Sequence, residues 1–148
     1  MFAEIKAKNA ALQSQIATLR QEAAALVKPM LSEFIKQNPQ VKAVKWSQYT
    51  PYFNDGDACT FRVNEPYFFF EGVENNDPEE DEGYDAWSMG HEKYGPPVGV
   101  VSQQTIKACA ELATELGGIS DALKDLFGDH VQVIVTAGGV SVDEYDHD

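Results

Sequence analysis

The side chains here that could carry chemistry are three histidines, two cysteines and a surplus of carboxylates. A serine hydrolase needs a strained G-x-S-x-G elbow backed by a histidine and an acid, and no such motif is present. His91, His130 and His147 fall in a loop, at a strand start and in the closing segment, at spacings that suggest no triad. Cys59 and Cys109 lie fifty residues apart without a C-x-x-C, so both read as small buried hydrophobes rather than zinc ligands or a redox pair. Neither phosphate-binding glycine pattern occurs, and Gly117-Gly118 and Gly138-Gly139 read as cap and turn glycines. No catalytic residue is assigned, and the chain is expected not to be an enzyme.

The carboxylates deserve a test against calcium. Eight acids fall between Glu71 and Asp85 with no base among them. Counted from Asp77, however, Gly83 comes one position late for a calcium loop, and Ser88 stands where a bidentate glutamate is required. Asp55 and Asp57 are too few alone and suit a turn that caps itself. No metal and no cofactor are expected.

Binding chemistry is the better lead. Tyr49-Thr-Pro-Tyr-Phe-Asn-Asp-Gly-Asp57 crowds three aromatics around an Asn-Asp-Gly turn. Tyr49, Tyr52, Phe53, Asn54, Asp55 and Asp57 are its candidate pocket rim. A second candidate combines carboxylates with aromatics: Glu79, Glu80, Asp81, Glu82, Asp85, Trp87 and Tyr94 would suit a basic protein partner.

Charge sharpens that choice. The formal net charge is −13, divided as +4 over residues 1–50 and −17 over residues 51–148. Such a surface repels phosphates, so direct nucleic-acid binding and attachment to anionic membranes are disfavoured. Solubility, basic protein partners and cations are favoured. No apolar run approaches a membrane span, and Met1-Phe-Ala-Glu-Ile lacks a secretory n-region and h-region. A soluble cytoplasmic protein is expected.

The elements that must position these residues follow from periodicity. Leu12, Ile16, Leu19, Ala23, Leu26 and Met30 alternate gaps of four and three, the seam spacing of a coiled coil. Ile5 and Asn9 extend the register backward. Leu12, Ile16, Leu19, Ala23 and Leu26 are the candidate oligomerisation residues, with the partner a second copy of the chain. Pro29 predicts a kink or break near Ala25–Lys28, followed by a short second helix that Asn38-Pro39 stops. Val41–Tyr49 and Ala58–Glu65 predict a hairpin around the Asn-Asp-Gly turn, and Pro66–Phe70 a further extended run. Residues 71–97 read as an acidic loop. Helices follow over residues 98–116 and from a Ser120 cap to Phe127, then strands at Val131–Val135 and Val140–Tyr145. The order predicts an α+β fold: an antiparallel sheet of about four strands, helices on one face, and a long protruding N-terminal helix. The division is 1–37, helical and coiled-coil-like, and 38–148, an α+β domain carrying the acidic loop.

The run Val44-Lys-Trp-Ser-Gln-Tyr-Thr-Pro-Tyr-Phe-Asn-Asp-Gly-Asp-Ala-Cys-Thr-Phe-Arg-Val63, with the closing Val142-Asp-Glu-Tyr-Asp-His-Asp148, resembles a family of small, acidic, mostly uncharacterised tailed-bacteriophage proteins. The resemblance implies a phage-type accessory role in the host cytoplasm and supplies no catalytic residues. The expectation is a non-enzymatic protein that self-associates through its first helix and binds a host protein through the acidic and aromatic surface, with interference in host defence as a purpose. A small-ligand or nucleotide-binding module, its pocket between residues 49–57 and 84–97, is one alternative, and an acidic DNA mimic is another.

Overall fold

A computed structural model describes residues 1–53 and 55–147. Asn54, one of the expected rim residues, lies outside the described residues. The chain begins with α1 (Phe2–Gln37), a single helix of 36 residues. The break expected at Pro29 does not occur. Proline deletes one donor, the partner of the Ala25 carbonyl, but Ala25 and Pro29 are exposed and water can satisfy that oxygen. Beyond the proline, Leu31 and Ile35 are buried in the main core, as Val27 is before it, and this packing holds the helix on both sides.

Five strands form one antiparallel sheet: β1 (Val41–Tyr49), β2 (Arg62–Val63), β3 (Tyr67–Phe70), β4 (Val131–Thr136) and β5 (Gly139–Glu144). β1 is central. β4 pairs along one edge of it, and β5 closes a hairpin onto β4. β2 and β3 share the other edge, β2 opposite Gln48–Tyr49 and β3 opposite Val41–Lys45. Pro66, which has no N–H to give, sits between them.

The expected strand at Ala58–Glu65 shrinks to Arg62–Val63. Tyr49 pairs with Arg62 and is the last residue of β1, so residues 58–61 have no β1 residue left to face. Cys59 is therefore exposed, against expectation, whereas Cys109 is buried. The connection from β1 to β2 runs over residues 50–61 rather than through a tight hairpin.

Helices cover one face. α1, α3 (Gln103–Gly118) and α4 (Ser120–Phe127) pack with Val44, Trp46, Phe68, Phe70, Val133 and Val135 in the main core. Residues 98–102, expected to be helical, precede α3, and Ser102 caps it by accepting the Thr105 N–H. Gln40 ties that cap to the start of β1: its Oε1 accepts from the Ser102 N–H and the Thr105 hydroxyl. At α4 the cap position is Ile119 rather than Ser120, and no side chain caps it. Among the described residues the opposite sheet face buries a smaller cluster, Ala43, Phe69 and Ile134, with Tyr67 beside them. Among the described residues no helix is long and apolar enough to cross a membrane.

Within the acidic segment the chain is built rather than slack. The Asp77 carboxylate accepts the Glu79 N–H and that of Asp81 accepts the Asp77 N–H. Tyr84 bridges to Phe68 of β3, and α2 (Ala86–Met89) follows, where Asp85 and Ser88 form a reciprocal capping box.

Candidate functional site

The antiparallel order brings three chain segments to one corner. Gln48 faces Val131, and Val131 faces Glu144, so the next residues along each strand (Tyr49, His130 and Tyr145) are neighbours. Asp129 locks the corner. Its carboxylate accepts the Thr50 N–H at 2.7 Å, the Thr50 hydroxyl at 2.6 Å and the His130 N–H at 2.9 Å. Partial burial opposes ionisation of Asp129, but the Thr50 hydrogen bonds and the neighbouring His130 outweigh it and hold the group below the usual carboxylate value. His130 takes a left-handed backbone, φ 56°, which turns the chain from α4 into β4, and its carbonyl accepts the Tyr145 N–H at 2.9 Å.

Above this frame lies a stack of rings. The His147 imidazole is 3.6 Å from the Tyr49 ring centroid at 15° and 4.4 Å from that of Tyr52 at 7°. Two rings that close and that parallel cannot share one face, so His147 lies between them. Tyr52 also covers His130 at 5.0 Å, and Tyr145 flanks Tyr49 at 5.9 Å. The two imidazoles meet edge to edge, with His130 Nδ1 2.7 Å from His147 Nε2. Asp129 Oδ1 lies 3.6 Å from His130 Nε2. In the His130–His147 contact one ring nitrogen donates and the other accepts.

Beside the stack a cleft of about 470 Å³ opens on the helix-free face of the sheet, lined by Tyr49, Tyr145, Asn64, Gln132, Glu65 and Glu82 among others. Lys45 also lines it, but its Nζ donates to the Pro78 and Asp81 carbonyls at 2.8 and 3.2 Å. Tyr67 at the cleft has its phenol raised above the ordinary value, first by burial and then by Asp85, Glu82 and Glu65. The cleft is therefore electronegative. As for a metal, two nitrogens of one tetrahedral zinc would stand about 3.3 Å apart, wider than the His130–His147 contact. Among the described residues no three His, Cys, Asp or Glu side chains converge on a metal position.

Of the expected rim residues, Tyr49 and Tyr52 come together in the stack, while Phe53, Asp55 and Asp57 are exposed in the connection and contribute nothing to it. His130, Tyr145 and His147 were not singled out as a binding set. Their signal is extension of the strand register past the ends of the ladders.

The expected partner surface divides. The Pro78–Asp81 stretch lies over the helix-free face, where its carbonyls meet Lys45. Trp87 and Tyr94 stack at 5.4 Å on the helix side, since Met89 of the same turn enters the main core. Asp85 is committed to capping α2. Leu12, Ile16, Leu19, Ala23 and Leu26 are all exposed along α1. Compared with protein-family profiles, curated proteins and solved structures, the chain matches none.

Proposed function

We propose that this chain is a non-enzymatic binding protein that pairs with a second copy through α1 and offers its acidic face to a basic protein. The observation that carries the reading is the apolar seam: Leu12, Leu19 and Leu26 are 52%, 63% and 69% exposed along one stripe of a single helix. A helix of this length unsupported in water over its first five turns is marginal, and a partner helix would stabilise it. The seam runs into an apolar hollow of about 370 Å³ lined by Ala23, Leu26, Met30, Leu112, Ile119 and Ala122.

The spacing assigns a positions to Asn9, Ile16, Ala23 and Met30 and d positions to Ile5, Leu12, Leu19 and Leu26. Leucine at three of the four d positions, with Ile16 and Asn9 at a, suits a parallel two-stranded coil, in which Asn9 would meet its counterpart and fix the register. Pairing also makes the acidic face bivalent, so weak contacts combine. With the resemblance to phage accessory proteins, the basic partner is read as a host protein in the host cytoplasm, and interference with host defence as the purpose.

Light scattering tests the pairing. The native chain should give twice the chain mass, and Leu12→Asp with Leu19→Asp should give one chain with its core signals intact, because neither side chain touches the core. A native chain that stays single at tens of micromolar overturns the proposal. For the partner, Glu79→Ser, Glu80→Ser and Glu82→Ser together should abolish capture from host lysate while leaving the Asp77–Asp81 turn. Unchanged capture removes that surface.

A further inference from the structure

We propose that the slot between Tyr49 and Tyr52 binds an uncharged planar nitrogen heterocycle of the nucleobase type, and that His147 is the chain's own occupant of it. The inference does not rest on pairing through α1. Three features carry it. First, the slot already holds a flat nitrogen heterocycle at stacking distance on both faces, 3.6 and 4.4 Å. Base-on-aromatic stacking uses the same geometry and accepts any base, because every base has a π face. Second, the slot has a polar edge: His130 Nδ1 lies 2.7 Å from the ring nitrogen it meets, so a replacement needs a complementary N–H or ring nitrogen at that edge, and a nucleobase edge carries both. Third, the walls differ. Tyr49 belongs to β1 and is half buried, whereas Tyr52 stands 64% exposed in the long connection and can swing away to admit a ring. The occupant lies beyond the end of β5, outside regular structure.

The surroundings decide which derivatives enter. A substituent on the ring would project into the 470 Å³ cleft, where Asn64 and Gln132 offer neutral hydrogen bonds and Glu65 and Glu82 accept from hydroxyls. Asp129, Glu144 and Asp146 neighbour the slot in the chain, and the Lys45 amine is already engaged with two carbonyls. A phosphate would meet carboxylates: Lys45 is engaged, and Arg62, which faces Tyr49 across the β1–β2 ladder, is one cation against Glu65, Glu82, Asp129, Glu144 and Asp146. Free bases and nucleosides therefore fit, and nucleotides are rejected by charge.

Calorimetry on the full chain with adenosine, uridine and adenosine monophosphate tests the assignment. The native chain should bind a nucleoside weakly, because the ligand competes with His147. His147→Ala should bind the same nucleoside about tenfold more tightly. The monophosphate should bind more weakly than adenosine, and adding Tyr52→Ala should abolish binding. Both substituted positions lie outside regular structure, and sheet amide signals report whether the fold is kept. The proposal is overturned if His147→Ala binds neither nucleoside at millimolar concentration, if Tyr52→Ala leaves affinity unchanged, or if the monophosphate binds as well as adenosine. In the native chain, saturating adenosine should also shift the His147 ring protons out of the upfield position that a ring between two aromatic faces holds. Signals that stay in place at saturation overturn the displacement.

Discussion

Replacing Gln48 by leucine should cost the protein about 3 kcal/mol. Gln48 is fully buried on the helix side of β1, where it links the strand to α4. Its Oε1 accepts the Trp46 indole N–H at 2.9 Å, and its Nε2 donates to the Leu123 carbonyl at 3.0 Å and to the Gly128 carbonyl at 2.8 Å. Leucine keeps most of the volume, so a cavity contributes little and the change isolates the hydrogen bonds. Trp46 is 1% exposed and loses the acceptor that Gln48 supplies, an orphaned buried donor costing roughly 1–3 kcal/mol. The Leu123 and Gly128 carbonyls each lose a donor, and Gly128, being only half buried, recovers part of its loss from water. Urea titration followed by tryptophan fluorescence should show the midpoint falling with an unchanged slope, and thermal unfolding should fall by about 10 °C. A loss under about 1 kcal/mol would show that the three bonds are replaced by repacking, and would refute the reasoning.

Two further predictions concern titration and reactivity. Asp129 ionises below the usual carboxylate value in the folded protein, so the stability it contributes is complete above that ordinary value, near pH 4, and is lost as pH falls through the lowered one. Asp129→Asn should therefore be less stable than the native chain at neutral pH, with the difference shrinking toward about pH 3; a constant difference across that range contradicts the assignment. Burial pushes the Cys109 thiol up to about 12, while Cys59 is exposed, so iodoacetamide at pH 8 should label Cys59 alone in the folded chain and both after urea. Mass spectrometry of the labelled peptides decides it.

Legibility in the sequence followed a clear physical division. β1, β4, β5, α3 and the long first helix rest on periodic burial, a signal the sequence carries locally, and each appears near its expected place. Pro29 misled because its rule concerns one missing donor, and the packing of Val27, Leu31 and Ile35 around it is a tertiary fact. Residues 58–61 misled for a different reason. Their alternation is real, but a strand exists only where another strand remains to pair with, and β1 ends at Tyr49. The same limit hid the ring stack. Tyr49 and Tyr52 attract attention by local crowding, whereas His130 and His147 come from positions about 80 and 100 residues away and meet them only through the β1–β4–β5 register.

That register also explains why α4 matters out of proportion to its eight residues. On its exposed side Asp125 receives a two-pronged contact from Arg20, 2.9 Å from Nε and 2.7 Å from Nη2, the point where α1 leaves the domain. On its buried side the Leu123 carbonyl is held by Gln48. At its end Gly128 turns the chain, through φ 96°, into the Asp129–His130 corner beneath the rings. The Arg20–Asp125 pair is partly solvated and stabilises little, so it sets the direction of α1 more than it holds it. The Gln48 bonds to Trp46 and Leu123 are buried and hold α4 against the sheet. A second copy seated along the seam would press on Ile119 and Ala122 at the start of α4, whereas a ring in the slot meets His130 beyond its end. Coupling between those ends would require α4 to have two arrangements, and the buried Gln48 bonds fix one. Pairing and ring binding are therefore separable properties of the same short helix, and a seam substitution that dissolves the pair should leave the slot intact.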